Sequence, residues 1–300
     1  MPRRGPLLAC LAALALLWGL AFVGIKETLA ELSPTTLTLI RFAIADVTLL
    51  GVMVFMPGAR PKLPRAQRWR ILILALTGVP LYHLPLNWGE TRTTAQVASL
   101  IVAMAPVLLA VGAVIFLKER LTAARIVGIA SAFAGVVILT LGTPQGGAVQ
   151  ITPAGVLAVA IAPIAWTVYT LVAKPLMRET QPLRVTSSTI LIGSLTLLPL
   201  ISGDTFSELG AASPKTWAWL ALLGIGSSVV GYLLFIWLIQ HVDASQSGIV
   251  LYLVPIVGVL ASGLILDEPL GWAVIVAAIL VIGGLALTQR TAPQVPAPEA

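Results

Sequence analysis

Apolar runs of about twenty residues recur along the whole of this 300-residue chain. They cover roughly 6–25, 36–56, 71–89, 95–117, 122–142, 152–173, 184–202, 216–239, 244–266 and 270–289. Each is long enough to carry an α-helix across a hydrocarbon core of about 30 Å. Strands of a membrane barrel would be about ten residues long with strict alternation. These runs are twice that length and apolar all round, so they read as helices. Hydrophobic residues make up 58% of the chain and charged residues 10%, where a soluble domain would carry about a quarter charged. The expected fold class is an all-α membrane protein with ten transmembrane helices. The junctions are short; the longest, 57–70, is polybasic and holds Pro57, Pro61 and Pro64. None can host a soluble catalytic domain.

The second constraint is a duplication. Shifted by 149 positions, Trp88 meets Trp237, Ala95 meets Ala244, Pro106 meets Pro255, Glu119 meets Glu268, Leu121 meets Leu270 and Gly135 meets Gly284. Earlier in each half the shift is 148: Trp18 meets Trp166, Lys26 meets Lys174, Glu31 meets Glu179 and Pro34 meets Pro182. The expected organisation is one five-helix repeat over 1–145, a second over 146–290, and a disordered cytoplasmic tail over 291–300. Five crossings per unit is an odd number, so the copies should have inverted topology, a plan common among secondary transporters that bind substrate between the halves.

Charge placement gives orientation. Of the 18 Lys and Arg, fourteen fall at the termini or at even-numbered junctions, three (Lys26, Arg92 and Lys215) on the other side, and Arg41 inside a run. By the positive-inside rule both termini face the cytoplasm. The pI of 9.9 is therefore an orientation signal, and no nucleic-acid partner is expected. The first run follows Arg3 and Arg4, but its apolar stretch exceeds the ~7–15 residues of a signal peptide, so it reads as a retained span. Cys10 is the single cysteine, which excludes an intrachain disulfide.

These residues together resemble the drug/metabolite transporter superfamily, in its ten-helix branch with duplicated EamA-type units. The likeness is carried by Trp18-Gly19, Pro34 followed by Arg41, Pro106, Lys118-Glu119-Arg120-Leu121, Gly128 and Gly135, then Trp166, Pro182, Pro255, Asp267-Glu268-Pro269-Leu270 and Gly283-Gly284. It spans residues 6–290. The resemblance implies metabolite efflux across a bacterial-type cytoplasmic (inner) membrane, with most similarity to exporters of aromatic and neutral amino acids. The second half departs at the counterpart of Arg41, which is Thr189.

Candidate site residues follow from what polar and kinked groups do in lipid. A mid-span proline removes one backbone hydrogen bond, and the freed carbonyl needs protein or cavity water. Pro106 and Pro255 are thus candidate hinges. The small or polar stripes beside them, with Ser99 on one and Tyr252 on the other, either line a cavity or pack helices. Tyr82, His83 and Asn87 in the third run and Tyr232 in the eighth are candidate substrate contacts, because polar groups at depth face protein or water. Trp18 and Trp166, with Tyr169 one turn on, are candidate aromatic walls. Inversion would put Trp18 in the outer half and Trp166 in the inner half, as alternating plugs or as packing residues. Gln246 and Tyr252 are candidates to hold a polar end of the substrate.

Buried charge is the remaining signal. Asp46 lies near the middle of the second run, at about 2.5–3.5 kcal/mol on insertion scales. It is read either as a structural carboxyl or as a proton-coupling site with His83, whose side chain titrates near neutral pH. Arg41 either snorkels or attracts a carboxylate. Glu119 and Glu268 read as structural carboxylates that accept N–H groups of the helix following each. Gly128, Gly135 and Gly284 should place the fifth and tenth runs at the outside of each half or at a dimer contact. With two histidines, one cysteine and no metal-ligand cluster, no enzyme, metal or cofactor is expected. The expected function is a secondary transporter exporting small metabolites, with aromatic or neutral amino acids first among them, by alternating access; another small metabolite or drug, or a passive pore, is the alternative. The partners are the substrate and the bilayer, and monomer and homodimer both fit.

Overall fold

The computed structural model describes residues 4–55, 67–108, 111, 122–142, 151–241 and 244–290. In chain order the helices are α1 (Arg4–Thr28), α2 (Pro34–Phe55), α3 (Arg68–Gly78), α4 (Pro80–Glu90), α5 (Ala95–Val102), α6 (Ala123–Gly142), α7 (Pro153–Glu179), α8 (Pro182–Leu195), α9 (Gly203–Ala211), α10 (Pro214–Ala221), α11 (Gly231–His241), α12 (Ala244–Ile265) and α13 (Trp272–Arg290). A π-helical segment, Leu222–Val230, joins α10 to α11. Among the described residues there is no strand. Six helical stretches are long and apolar enough to cross a membrane, and four shorter apolar helices accompany them. Val54, Phe55, Leu141, Leu157 and Leu264 are each 69–86% exposed, a surface that suits lipid.

Helix starts are written in the sequence. Ser33-Pro34, Thr152-Pro153 and Ser213-Pro214 each place a hydroxyl residue at the cap and a proline at the first helical position. The hydroxyls accept the N–H of Thr36, Gly155 and Thr216 at 3.3, 3.1 and 3.3 Å. The cap satisfies an orphan donor, and proline there is pre-set for the helix. Helix α9 was not foreseen; a capping box between Ser202 and Thr205 starts it.

The segments joining these helices meet at one end of the bundle, called here the junction end. The N–H of Ser33 donates to Glu208 at 2.9 Å. Ser213 donates to Glu31 from its N–H and its hydroxyl, both at 2.7 Å. Lys215 pairs with Glu27, and the Thr152 N–H donates to the Arg92 carbonyl at 3.0 Å. The Glu31 carboxyl is held below its usual range first by the Ser213 N–H, then by the Ser213 and Thr216 hydroxyls.

Glu268 is corrected in its partner. It accepts the N–H groups of Ala95 and Gln96 at 2.8 and 3.0 Å, the first turn of α5, and not those of the helix that follows it. The negative charge meets the positive end of α5 and ties the second half to the first. Burial pushes this carboxyl up, while the Gln96 and Ala95 N–H groups pull it down. Glu119, the 143–150 link and the 291–300 tail lie outside the described residues.

The fifth and tenth runs are also corrected. They pack on each other, antiparallel: Gly142 lies against Trp272 and Ala273, Gly135 against Ala277, and Gly128 against Gly284. A Cβ on Gly128 would stand 2.5 Å from the Gly284 carbonyl oxygen, so glycine permits backbone-to-backbone approach. The pairing is reciprocal. Gly128 meets the counterpart of Gly135, and Gly135 meets the counterpart of Gly128 (Gly284 and Ala277 at a shift of 149).

Three contacts join a residue to its own counterpart. Ser131 Oγ donates to the Leu280 carbonyl at 2.9 Å across 149 positions. Ser194 Oγ lies 3.1 Å from Asp46 Oδ1 across 148 positions. The rings of Trp18 and Trp166, also 148 apart, are edge to face at 5.7 Å.

Candidate functional site

The third and eighth runs lose regular α geometry at counterpart positions. Pro80 has no N–H and restricts the residue before it, so α3 stops at Gly78 and the chain turns at Val79 with φ −117° and ψ −85°. Its counterpart at the shift of 149, Ser228, lies in the π-helical segment. Ser228 Oγ donates to the Leu223 carbonyl at 2.9 Å and accepts from Arg41 Nε at 2.9 Å. Tyr232 donates from its hydroxyl to the Gly78 carbonyl at 3.2 Å, spanning both irregularities. Single-turn π segments frequently mark functional positions.

Around these breaks stands an aromatic cluster. Trp166 of α7 is its hub. It stacks on Tyr169 at 5.0 Å with an 11° interplanar angle, and meets Trp18, Tyr82, Tyr232 and Phe235 at 5.6–5.8 Å. Tyr82 touches His83 at 4.7 Å, and His83 touches Phe42 at 4.8 Å. Each offset or edge-to-face pair is worth about 0.5–1.5 kcal/mol beyond its buried area. The Trp18 indole donates to the Ser227 carbonyl at 3.1 Å, and the Ser227 hydroxyl donates back to Leu17 at 2.8 Å. These bonds lock α1 to the π-helical segment. A Cβ on Gly231 would strike the Trp18 indole nitrogen, so the ring needs that glycine.

The structure brings Trp18, Tyr82, His83, Trp166, Tyr169 and Tyr232 together, as the sequence suggested. The rings of the two tryptophans touch edge to face, the arrangement expected of residues packed between helices. Ser99 stands elsewhere, where α5 crosses α12: its hydroxyl donates to the Gln96 carbonyl at 2.8 Å, and a Cβ on Gly258 would meet it. The side chains of Gln246 and Tyr252 lie outside the described residues. The chain turns at Ala103–Met104 just ahead of Pro106, while α12 continues through Pro255. The Ala105 carbonyl there accepts from Thr167 at 3.1 Å.

Arg41 is 4% exposed and carries no ion pair among the described residues. Its hydrogen-bond partner is a serine hydroxyl, and Tyr232, Tyr82, Glu90 and His83 lie within electrostatic range of its charge. Asn87 donates to Thr38 at 2.8 Å, one turn from Arg41 on α2. Several buried polar atoms nearby have no hydrogen-bond partner: both His83 nitrogens, Asn87 Oδ1 and Thr186 Oγ1, while the Tyr169 and Thr189 hydroxyls face each other. Asp46 is placed apart. It faces Ser194, Leu197, Phe206 and Leu209 in a pocket between α2, α8 and α9, away from both His83 and Arg41, so no Asp46–His83 couple forms. Phe42, Phe235, Thr186 and Glu90 were missed by sequence reading. An isolated phenylalanine or threonine in an apolar run carries no signal of its own, and Glu90 sits one residue past a run, where a loop was expected.

The EamA-like transporter family model matches the chain twice, over residues 3–141 and 153–290. The chain belongs to the EamA-like transporter family. It is an integral multi-pass membrane transporter of the drug/metabolite transporter superfamily, not an enzyme. An uncharacterized transporter of Archaeoglobus fulgidus is 33% identical over 283 residues, covering 93% of this chain and 97% of that one. A protein of Streptantibioticus cattleyicolor named "Probable terminal-alkyne amino-acid exporter" is 30% identical over 276 residues, covering 91% and 90%. A crystal structure at 19% identity shares the fold of this EamA-like protein with a TM-score of 0.64, covering 96% of this chain and 99% of that one.

Proposed function

We propose that this transporter exports a small carboxylate-bearing metabolite with a bulky apolar part, an aromatic or neutral amino acid being the first choice, by alternating access of two inverted five-helix repeats. The observation that carries the reading is the aromatic cluster set against Arg41. Stacking surfaces suit an apolar side chain, and a buried guanidinium whose only side-chain hydrogen bond among the described residues is to a serine hydroxyl suits the acid group of a ligand. The unpartnered hydroxyl, amide and imidazole atoms around it are groups a polar ligand would satisfy. The exporter named for a terminal-alkyne amino acid supports the same class.

The inverted plan is supported by geometry. Counterpart contacts at Trp18–Trp166, Ser131–Leu280 and Asp46–Ser194, with antiparallel α6 and α13, fit a twofold axis across the helices. Under ten crossings with both termini cytoplasmic, that axis lies at mid-membrane and passes through the cluster, where transporters of inverted-repeat design bind substrate. The junction end then faces the exterior of the cytoplasmic membrane and is closed in this conformation.

Counterflow in proteoliposomes tests this. A carrier preloaded with unlabelled phenylalanine or leucine accumulates the labelled amino acid transiently and saturably. Linear equilibration insensitive to preloading would identify a pore and overturn the reading.

A further inference from the structure

One carboxylate of the junction end is unlike the rest. Glu90, the last residue of α4, is fully buried, and neither oxygen of its carboxyl has a hydrogen-bond partner. The nearby cation does not pair with it. Lys26 Nζ donates instead to the backbone carbonyls of Glu90 and Thr93, at 2.5 and 2.6 Å. A buried carboxylate without an ion pair or a donor is among the most costly arrangements a protein can hold, and such a group neutralises instead.

We infer that Glu90 is a proton-binding site whose occupancy is linked to closure of the junction end. Around it, α1 contributes Lys26, the segment before α13 contributes Glu268, and α2 contributes Arg41; a charge on Glu90 would interact with these three in the order Lys26, Glu268, Arg41. Its own α4 contributes Tyr82, and α5 carries no charged residue. Helix α7 packs on Gly89 through Gly155 and Val159 and brings no charge. Arg92, in the next loop, lies over the Trp88 ring at 3.8 Å. Glu268 accepts the N–H groups of α5 and, as a like charge that also faces Lys26, it opposes ionisation of Glu90.

The closed junction end therefore holds one proton that an open, wetted end releases. Opening parts α1, α4 and the Glu268 segment, admits water to Glu90, and frees Lys26 to pair with the carboxylate that forms. The sign follows: closure is favoured at low pH and weakens as pH rises, with the closed-to-open ratio changing by up to about tenfold per pH unit for one proton. The inference rests on the transport reading only in naming that opening a transport step.

The test uses the full chain in lipid nanodiscs. Infrared difference spectra over a pH titration should show the carbonyl stretch of a protonated carboxylic acid, lost in Glu90→Gln and kept in Glu268→Gln. Spin labels at Thr91 and Gly210, in a Cys10→Ala background, should report a short distance that lengthens as pH rises, and Glu90→Gln should hold it short at every pH. No protonated-acid band in the unmodified chain at neutral pH, or an unchanged pH response in Glu90→Gln, would overturn the inference. If Glu90→Gln does not fold, the band and the distance in the unmodified chain still decide, because they must change together. Absent counterflow with an intact band and pH response would sink the transport reading and leave this one standing.

Discussion

Arg41 and Trp166 carry separate parts of the proposed site. Arg41 meets Ser228 and no carboxylate, so Arg41→Met should remove the charge-assisted contact to an acid-bearing substrate while keeping the chain's length. Such bonds contribute about 1.5–3 kcal/mol, which corresponds to a ten- to hundredfold rise in the half-saturation concentration of counterflow; an unchanged value would remove Arg41 from the site. Trp166 touches five rings, so Trp166→Ala should weaken selection of aromatic over small amino acids more than membrane insertion, measured by competition uptake and by expression in the membrane. The sequence made the six principal polar and aromatic contacts legible because polar groups in apolar runs must face protein or water. It could not show that Asp46 and His83 lie apart, since both are polar at mid-span and only packing separates them. Glu31 illustrates a pH effect outside the membrane. Its folded carboxyl is lowered by the Ser213 N–H, so the contact persists above the ordinary carboxylate range and is lost as pH falls through the lowered value. Hydrogen exchange at the Ser213 amide, corrected for its intrinsic rate, should rise only at acid pH.

At the scale of elements, α6 and α13 form the closest seam between the halves, and glycine makes it possible. Gly128→Val would drive a side chain into the Gly284 backbone. Overpacking costs about 1–3 kcal/mol where side chains can yield; backbone cannot, so a cost at or above that range is expected, read as a lower midpoint of thermal unfolding in detergent. Gly283→Ala, where a Cβ meets nothing within 4 Å, should leave the midpoint unchanged. The helices themselves were legible, because twenty apolar residues in lipid have few alternatives to a helix. Their partners were not. Glycine spacing announces close approach but not against what, which is why the seam read as an outer face. The breaks at Val79 and in the 222–230 segment were half visible: Pro80 marks the first, while LLGIGSSVV has no residue that dictates π geometry.

For the whole molecule, the duplicated pattern and the positive-inside count point to the proposed inverted architecture, and the counterpart contacts at Trp18–Trp166, Ser131–Leu280 and Asp46–Ser194 fit a twofold axis for it. Odd-numbered junctions gather at one end in the structure, through Ser33–Glu208, Glu31–Ser213, Arg92–Thr152 and Glu268–Ala95, as alternating crossings require. Under the proposed alternating access, rocking of the two halves about the aromatic cluster would break these contacts while forming others at the opposite end. The direct test places one label pair across each end, Thr91 with Gly210 at the junction end and Arg68 with Gln181 at the other, all four positions being exposed. Pulsed electron–electron resonance in nanodiscs, across substrate and pH conditions, should show the two distances changing in opposite senses. Distances that lengthen together, or an end that never moves while counterflow proceeds, would contradict alternating access of two inverted halves.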